Sequence, residues 1–233
     1  MTSVFTSTGY QGGVCLPGTH VFIVGVGEYT CLLGGDPARL LDKPMGLGQL
    51  SSPPLSAIAL ADWFVGGQTP DSNADEREGF HNPDVPLASV ELLVSPGLDY
   101  QCPGGTTVAV DAATRDNIDA CYVAWLARAK SHPGNIAVFY FCGHGVAGSS
   151  DYILPSDFGA HRKNPWSNAI DIAETARAAR REVGGSLYFF VDACRQVSRD
   201  SLMPGIRSRH RDALAEQWLP ITLEAVDAAL AQA

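Results

Sequence analysis

The amino-acid sequence predicts an α/β domain built around a mostly parallel central sheet. Three observations point to it. Four short apolar, β-branched runs, "THVFIVGVGEY" (19–29), "ASVELLV" (88–94), "IAVFYFC" (136–142) and "SLYFFVDAC" (186–194), read as strands buried on both faces. Stretches with helical spacing lie between them, the alternation that parallel crossovers require. With 233 residues, 45% hydrophobic and 18% charged, the chain can bury one sizeable core.

After the first strand, "CLLGGDPARLLDKPMGLGQLSSPP" is a Gly- and Pro-rich loop, and Leu55, Ile58, Ala59 and Trp63 then fall at helical spacing. The polar, acidic stretch 66–86, broken by prolines, reads as a surface excursion. Following the second strand, Ile118, Cys121, Tyr122, Trp125 and Leu126 match the i, i+3, i+4, i+7, i+8 template, with Asp111 or Thr114 as the N-cap. "SHPGN" closes that helix before the third strand. A further helix through Ile172, Thr175, Ala176, Ala179 and Val183 stops at Gly184 and Gly185, and the fourth strand follows. No internal repeat is present. The chain divides into an N-terminal extension (1–18), the α/β domain (19–200), and a linker with a helical tail (201–233).

The formal net charge of −9 excludes a nucleic-acid partner held by phosphate contacts and an anionic membrane surface. No apolar run reaches the length of a membrane span, and "MTSVFTSTGYQGG" lacks the basic and apolar regions of a signal peptide, so a cytoplasmic location is expected. Six cysteines without a CxxC pair are too few for a disulfide scaffold, and reduced thiols are expected. Cys142 and His144 form a C-x-H pair with no second pair at zinc spacing, and "DSNADEREG" lacks the EF-hand pattern, so neither a metal nor another cofactor is expected. Thr30 stands where a dinucleotide fingerprint needs its third glycine.

In open parallel sheets the functional crevice lies beyond the carboxyl ends of the strands. His144 is read just past the end of the third strand and Cys194 just past the end of the fourth, so neighbouring strands would bring both over one edge. A thiol attacks an amide carbonyl as the thiolate, and the departing amine needs a proton; a histidine can take the one proton and give the other.

These residues carry a resemblance. "FYFCGHG" is similar to the strand-then-histidine motif of the caspase-like cysteine peptidases, and "YFFVDACRQ" is similar to their strand-then-cysteine motif, at the 50-residue separation found in caspases. The resemblance covers roughly residues 19 to 200. It implies a caspase-like three-layer α/β/α sandwich and a cysteine endopeptidase, with Cys194 as nucleophile, His144 as general acid/base, and the N–H groups of Gly145 and Cys194 as oxyanion hole. Asp192, with Cys142 beside it, implies a substrate pocket for Arg or Lys before the scissile bond, as in metacaspases and their bacterial relatives. The resemblance further implies protein or peptide substrates, a zymogen released by proteolysis, an activating protein or a second subunit, and a role in bacterial defence or cell death. Arg207, Arg209 and Arg211 offer processing sites in the linker. The rival reading is a catalytically silent caspase fold that serves as an interaction module.

Overall fold

The computed structural model describes residues 2–7, 16–66, 79–102, 105–148 and 150–197. In chain order the elements are β1 (Ser3–Thr6), β2 (Thr19–Val26), α1 (Ser52–Gly66), β3 (Leu87–Ser95), β4 (Leu98–Gln101), β5 (Thr107–Val110), α2 (Arg115–Ala129), β6 (Ile136–Ala147), β7 (Asp151–Ile153), β8 (Ile170–Asp171), α3 (Ile172–Glu182) and β9 (Ser186–Val197). The four expected strands are β2, β3, β6 and β9, and they form the parallel body of the sheet in the order β3-β2-β6-β9. β2 and β3 are buried along their whole length, as largely apolar strands under helices on both faces are. Helix α1 covers one face, α2 and α3 the other, so the architecture is the three-layer sandwich.

β1 lies inside the segment read as an N-terminal extension and adds an antiparallel edge to β3. β4 and β5 form a separate two-stranded hairpin. β7 and β8 are antiparallel additions with too few residues to leave a periodicity in the sequence.

The largest difference from expectation concerns the strand ends. β6 and β9 do not stop before His144 and Cys194; they run through them, each for 12 residues. β2 pairs with β6 only as far as Cys142, and β7 takes the edge of β6 that β2 has left, pairing Gly145 with Ile153. His144 therefore stands beyond the end of the neighbouring parallel strand yet inside an extended one.

Helix α1 forms where expected but turns a different face inward. Its buried residues are Pro53, Pro54, Ala57, Ala61, Phe64 and Val65, whereas Leu55 (67% exposed) and Trp63 (48%) face outward. The reason is close approach: a Cβ on Gly25 would lie 2.6 Å from the Cβ of Ala57, and one on Gly27 would lie 2.4 Å from the carbonyl oxygen of Leu50. Only small residues fit between helix and sheet there, so volume, rather than hydrophobicity, selects the inward face. On the same side, Tyr188 and Phe190 of β9 stack on one another and, with Leu60, Trp63, Phe80 and Tyr140, wall an apolar groove of about 510 Å³.

Thr114, one of the two N-cap candidates, caps α2 by accepting the N–H of Asn117 at 3.3 Å. Trp125 of α2 is fully buried against Phe22, Tyr122, Phe139 and Phe189, and its indole N–H donates to the carbonyl of His20 at 3.1 Å. That bond satisfies the one polar atom of the largest core side chain.

His20 and Glu91 are titratable groups buried in the sheet. Burial, with Arg128 adding to it, pushes the His20 imidazole down to about 4 from 6.5. Burial pushes Glu91, which pairs with Arg128, up to about 7 from 4.5. Between pH about 4 and 6.5 the unfolded chain binds the extra proton at His20, so stability rises with pH; between 4.5 and about 7 the folded chain binds it at Glu91, so stability falls with pH. The two slopes oppose each other where they overlap. Glu91→Gln is expected to unmask a rise in melting temperature from pH 4.5 to 6.5, and His20→Gln a fall over the same range, each approaching about 1.4 kcal/mol per pH unit. Melting curves recorded across that range check both signs.

Candidate active site

The site is built from the pairing of β6 with β9. From Ile136 with Ser186 to Ala147 with Val197 the two strands run parallel without a register shift, so every residue of β6 faces the residue 50 positions later. His144 is the partner of Cys194, and Cys142 is the partner of Asp192. In a parallel ladder register partners point to the same face, and residues two apart share it. The four sequence-predicted side chains thus lie on one face, in two adjacent rows.

His144 is only 8% exposed. Its ring lies against the ring of Tyr29, with centroids 4.8 Å apart and tilted by 39°. The main-chain N–H of His144 donates to the Tyr29 hydroxyl at 2.7 Å, and ring Nε2 lies 2.7 Å from the carbonyl oxygen of Gly48. A carbonyl can only accept, so Nε2 carries the proton and Nδ1 of the neutral ring keeps its lone pair. Burial pushes the imidazole below its ordinary value, while the bond it donates to the Gly48 carbonyl resists the shift. Near neutral pH the ring is therefore neutral, the form able to accept a proton.

The glycines on either side of the histidine now have a physical reason. A Cβ on Gly143 would lie 2.8 Å from the Tyr29 hydroxyl oxygen, inside the space that lets the hydroxyl reach the N–H of His144. A Cβ on Gly145 would lie 2.9 Å from the Cβ of Ala193 and 3.0 Å from the carbonyl oxygen of Cys194, so glycine allows β6 and β9 to approach beside the thiol.

Cys194 is exposed. Cys142 is different. It is buried, its Sγ lies 3.5 Å from Oδ2 of Asp192, and burial, reinforced by the neighbouring carboxylate, pushes its thiol up to about 11. It stays protonated near neutral pH. Asp192 is exposed on the same row, two residues before Cys194. Arg207, Arg209 and Arg211 lie outside the described residues. Among the described residues no three His, Cys, Asp or Glu side chains gather into a group that could hold a metal ion.

Sequence reasoning missed Tyr29, Gly48 and Gln49. Tyr29 reads as the last residue of a buried strand, and its apolar context gives no sign of the hydroxyl contact. Gly48 acts through its carbonyl, which every residue has, so no signal existed. Gln49 accepts the N–H of Tyr29 at 2.7 Å and donates to the carbonyls of Tyr29 at 3.1 Å and Leu33 at 2.8 Å, but in the sequence it is one polar residue in a Gly- and Pro-rich loop.

Tyr29→Phe leaves the buried N–H of His144 without its acceptor. It is expected to lower unfolding stability by about 1–3 kcal/mol in urea denaturation. The same change at Tyr188, which is exposed, is expected to leave stability nearly unchanged.

Comparison with known proteins gives the family. The chain is 39% identical over 147 residues to the uncharacterized protein y4kE of Sinorhizobium fredii (strain NBRC 101917 / NGR234), a match that spans 61% of this chain and 42% of that protein. The sequence profile of the caspase domain, within peptidase family C14, matches residues 64–219, which include β3, α2, β6, α3 and β9. Members of this family are cysteine peptidases that act on proteins. With that match over more than half its length, the chain belongs to the caspase-domain family.

Proposed function

We propose that the protein is a cysteine endopeptidase in which Cys194 is the nucleophile and His144 the general acid/base. The observation that carries this reading is the register pairing of His144 with Cys194 on adjacent parallel strands, with the imidazole held as its Nε2–H tautomer by Gly48. In the reaction, Nδ1 of His144 takes the proton from Sγ of Cys194, and the thiolate attacks the scissile carbonyl. The N–H groups of Gly145 and Cys194 receive the developing oxyanion. The C–N bond then breaks as His144 returns the proton to the departing amine. Water, deprotonated by His144, hydrolyses the acyl-enzyme and releases the thiol.

Asp192 selects Arg or Lys before the scissile bond, because an exposed carboxylate two residues along the strand from the nucleophile can pair with a guanidinium or ammonium group. Cys142, protonated beside it, lines the same pocket. Cutting at Arg207, Arg209 or Arg211 converts the chain from zymogen to active enzyme, with an activating protein or a second subunit as the trigger. A cytoplasmic location and a role in bacterial defence or cell death rest on the resemblance to bacterial caspase-like peptidases alone.

A fluorogenic peptide panel with Arg, Lys, Asp or Leu before the reporter tests the reading. Cleavage after Arg and Lys is expected, with none from Cys194→Ala or His144→Ala. Asp192→Asn is expected to lower kcat/KM on the Arg peptide by about 10- to 100-fold, the worth of one charge-assisted bond. Cleavage after Asp alone would remove the proposed role of Asp192. Silence that persists after the chain is cut in the 207–211 stretch would favour the silent interaction module. Mass spectrometry of the incubated protein checks the processing step: an uncut chain that is already fully active would refute it.

A further inference from the structure

The contacts of His144 lead to a residue with no part in the chemistry. Gly48, whose carbonyl takes Nε2–H, belongs to the loop between β2 and α1. Two main-chain bonds flank it, from Leu33 N–H to the Leu47 carbonyl at 3.1 Å and from Leu50 N–H to the Gly27 carbonyl at 2.8 Å. Between these anchors the Gln49 carboxamide makes the three bonds described above, two of them to the main chain of Tyr29. Tyr29 is also the residue whose hydroxyl accepts the His144 N–H. One side chain thus ties the residue that holds the main chain of His144 to the loop that holds its ring.

A glutamine amide has four hydrogen-bonding sites here, and three are spent on backbone groups of two other segments. Gln49 is itself exposed, where such bonds add little net stability because water would replace them. Their effect is geometric. Bonding the N–H and the C=O of one residue at once fixes both the distance and the rotation of the Gly48–Gln49 segment against Tyr29. The direction of the Gly48 carbonyl follows from that, and with it the tautomer of His144.

We propose that Gln49 is a positioning residue for His144: its carboxamide clamps the Gly48 carbonyl against Tyr29 and so keeps the imidazole proton on Nε2 and the lone pair on Nδ1. This rests on the assignment of His144 as the acid/base of the peptidase. A clamp of this kind acts on proton transfer and leaves substrate binding untouched, so its loss lowers kcat at constant KM.

Gln49→Met keeps the length of the side chain and removes all three bonds; Gln49→Ala serves as a second variant should the first not fold. Two readouts are taken. The ¹⁵N shifts of the neutral His144 ring, recorded with Cys194→Ala in the background, are expected to report the Nε2–H tautomer in the parent and a mixture of tautomers in the variant. With Cys194 present, kcat on the Arg peptide is expected to fall about tenfold with KM within twofold. An unchanged tautomer would overturn the proposal, whatever happens to kcat, and so would a loss confined to KM. Mixed tautomers in a protein whose parent cleaves no peptide would uphold the clamp and reject the peptidase reading, so the two failures are distinguishable.

Discussion

The unbroken parallel ladder between β6 and β9 is the constraint on which the site depends. It alone brings a buried histidine and an exposed cysteine together without any bond between their side chains. The rest of the architecture serves this ladder. β2 supports β6 on its other edge as far as Cys142, and β7 supports it beyond. Trp125 and the aromatic rings around it fix β6 and β9 from the α2 side, through Phe139 and Phe189, whose centroids lie 4.9 Å apart. The row of His144 and Cys194 stands on the opposite side of the same two strands.

The two residues differ in their surroundings. His144 is drawn into the protein and kept neutral, with one nitrogen spent on a carbonyl. Cys194 is left in the open on a strand that has no partner on its outer edge among the described residues. Cys142, one position along the row, shows what burial and a neighbouring carboxylate do to a thiol: they silence it. The contrast between two cysteines on one face lies in environment, since the side chains are identical.

Much of the scaffold was legible in the sequence because apolar runs and helical spacing follow directly from burial. All four core strands, α2 and α3 appear where periodicity places them, and His144 and Cys194 stand out because an apolar strand gains nothing from an imidazole or a flanking glycine. Three things were not legible. The inward face of α1 is selected by the shortage of space over Gly25 and Gly27, which hydrophobicity does not report. The continuation of β6 and β9 through the site is stabilised by main-chain pairing to each other and, for β6, to β7; the glycines of β6 and the polar residues after Val191 in β9 conceal it. The contacts of Tyr29, Gly48 and Gln49 are made by a hydroxyl, a carbonyl and a carboxamide whose partners are backbone atoms, and backbone atoms have no sequence.

The constant offset along the ladder changes what the interval between histidine and cysteine means. The intervening chain comprises β7, β8, α3 and their turns, all of which can lengthen or shorten without touching the rungs of β6 on β9. The interval of 50 is therefore a property of this particular connection, not of the chemistry. What cannot vary is phase. A slip of one residue in β9 would set Cys194 opposite Gly145 and turn its thiol to the α2 side, into the aromatic core, while Ala193 took its place beside the imidazole. Divergent members of such a fold would drift freely in spacing while the two strands kept their mutual alternation, and that shared pleat, more than any count of residues, is the invariant by which the dyad can be recognised.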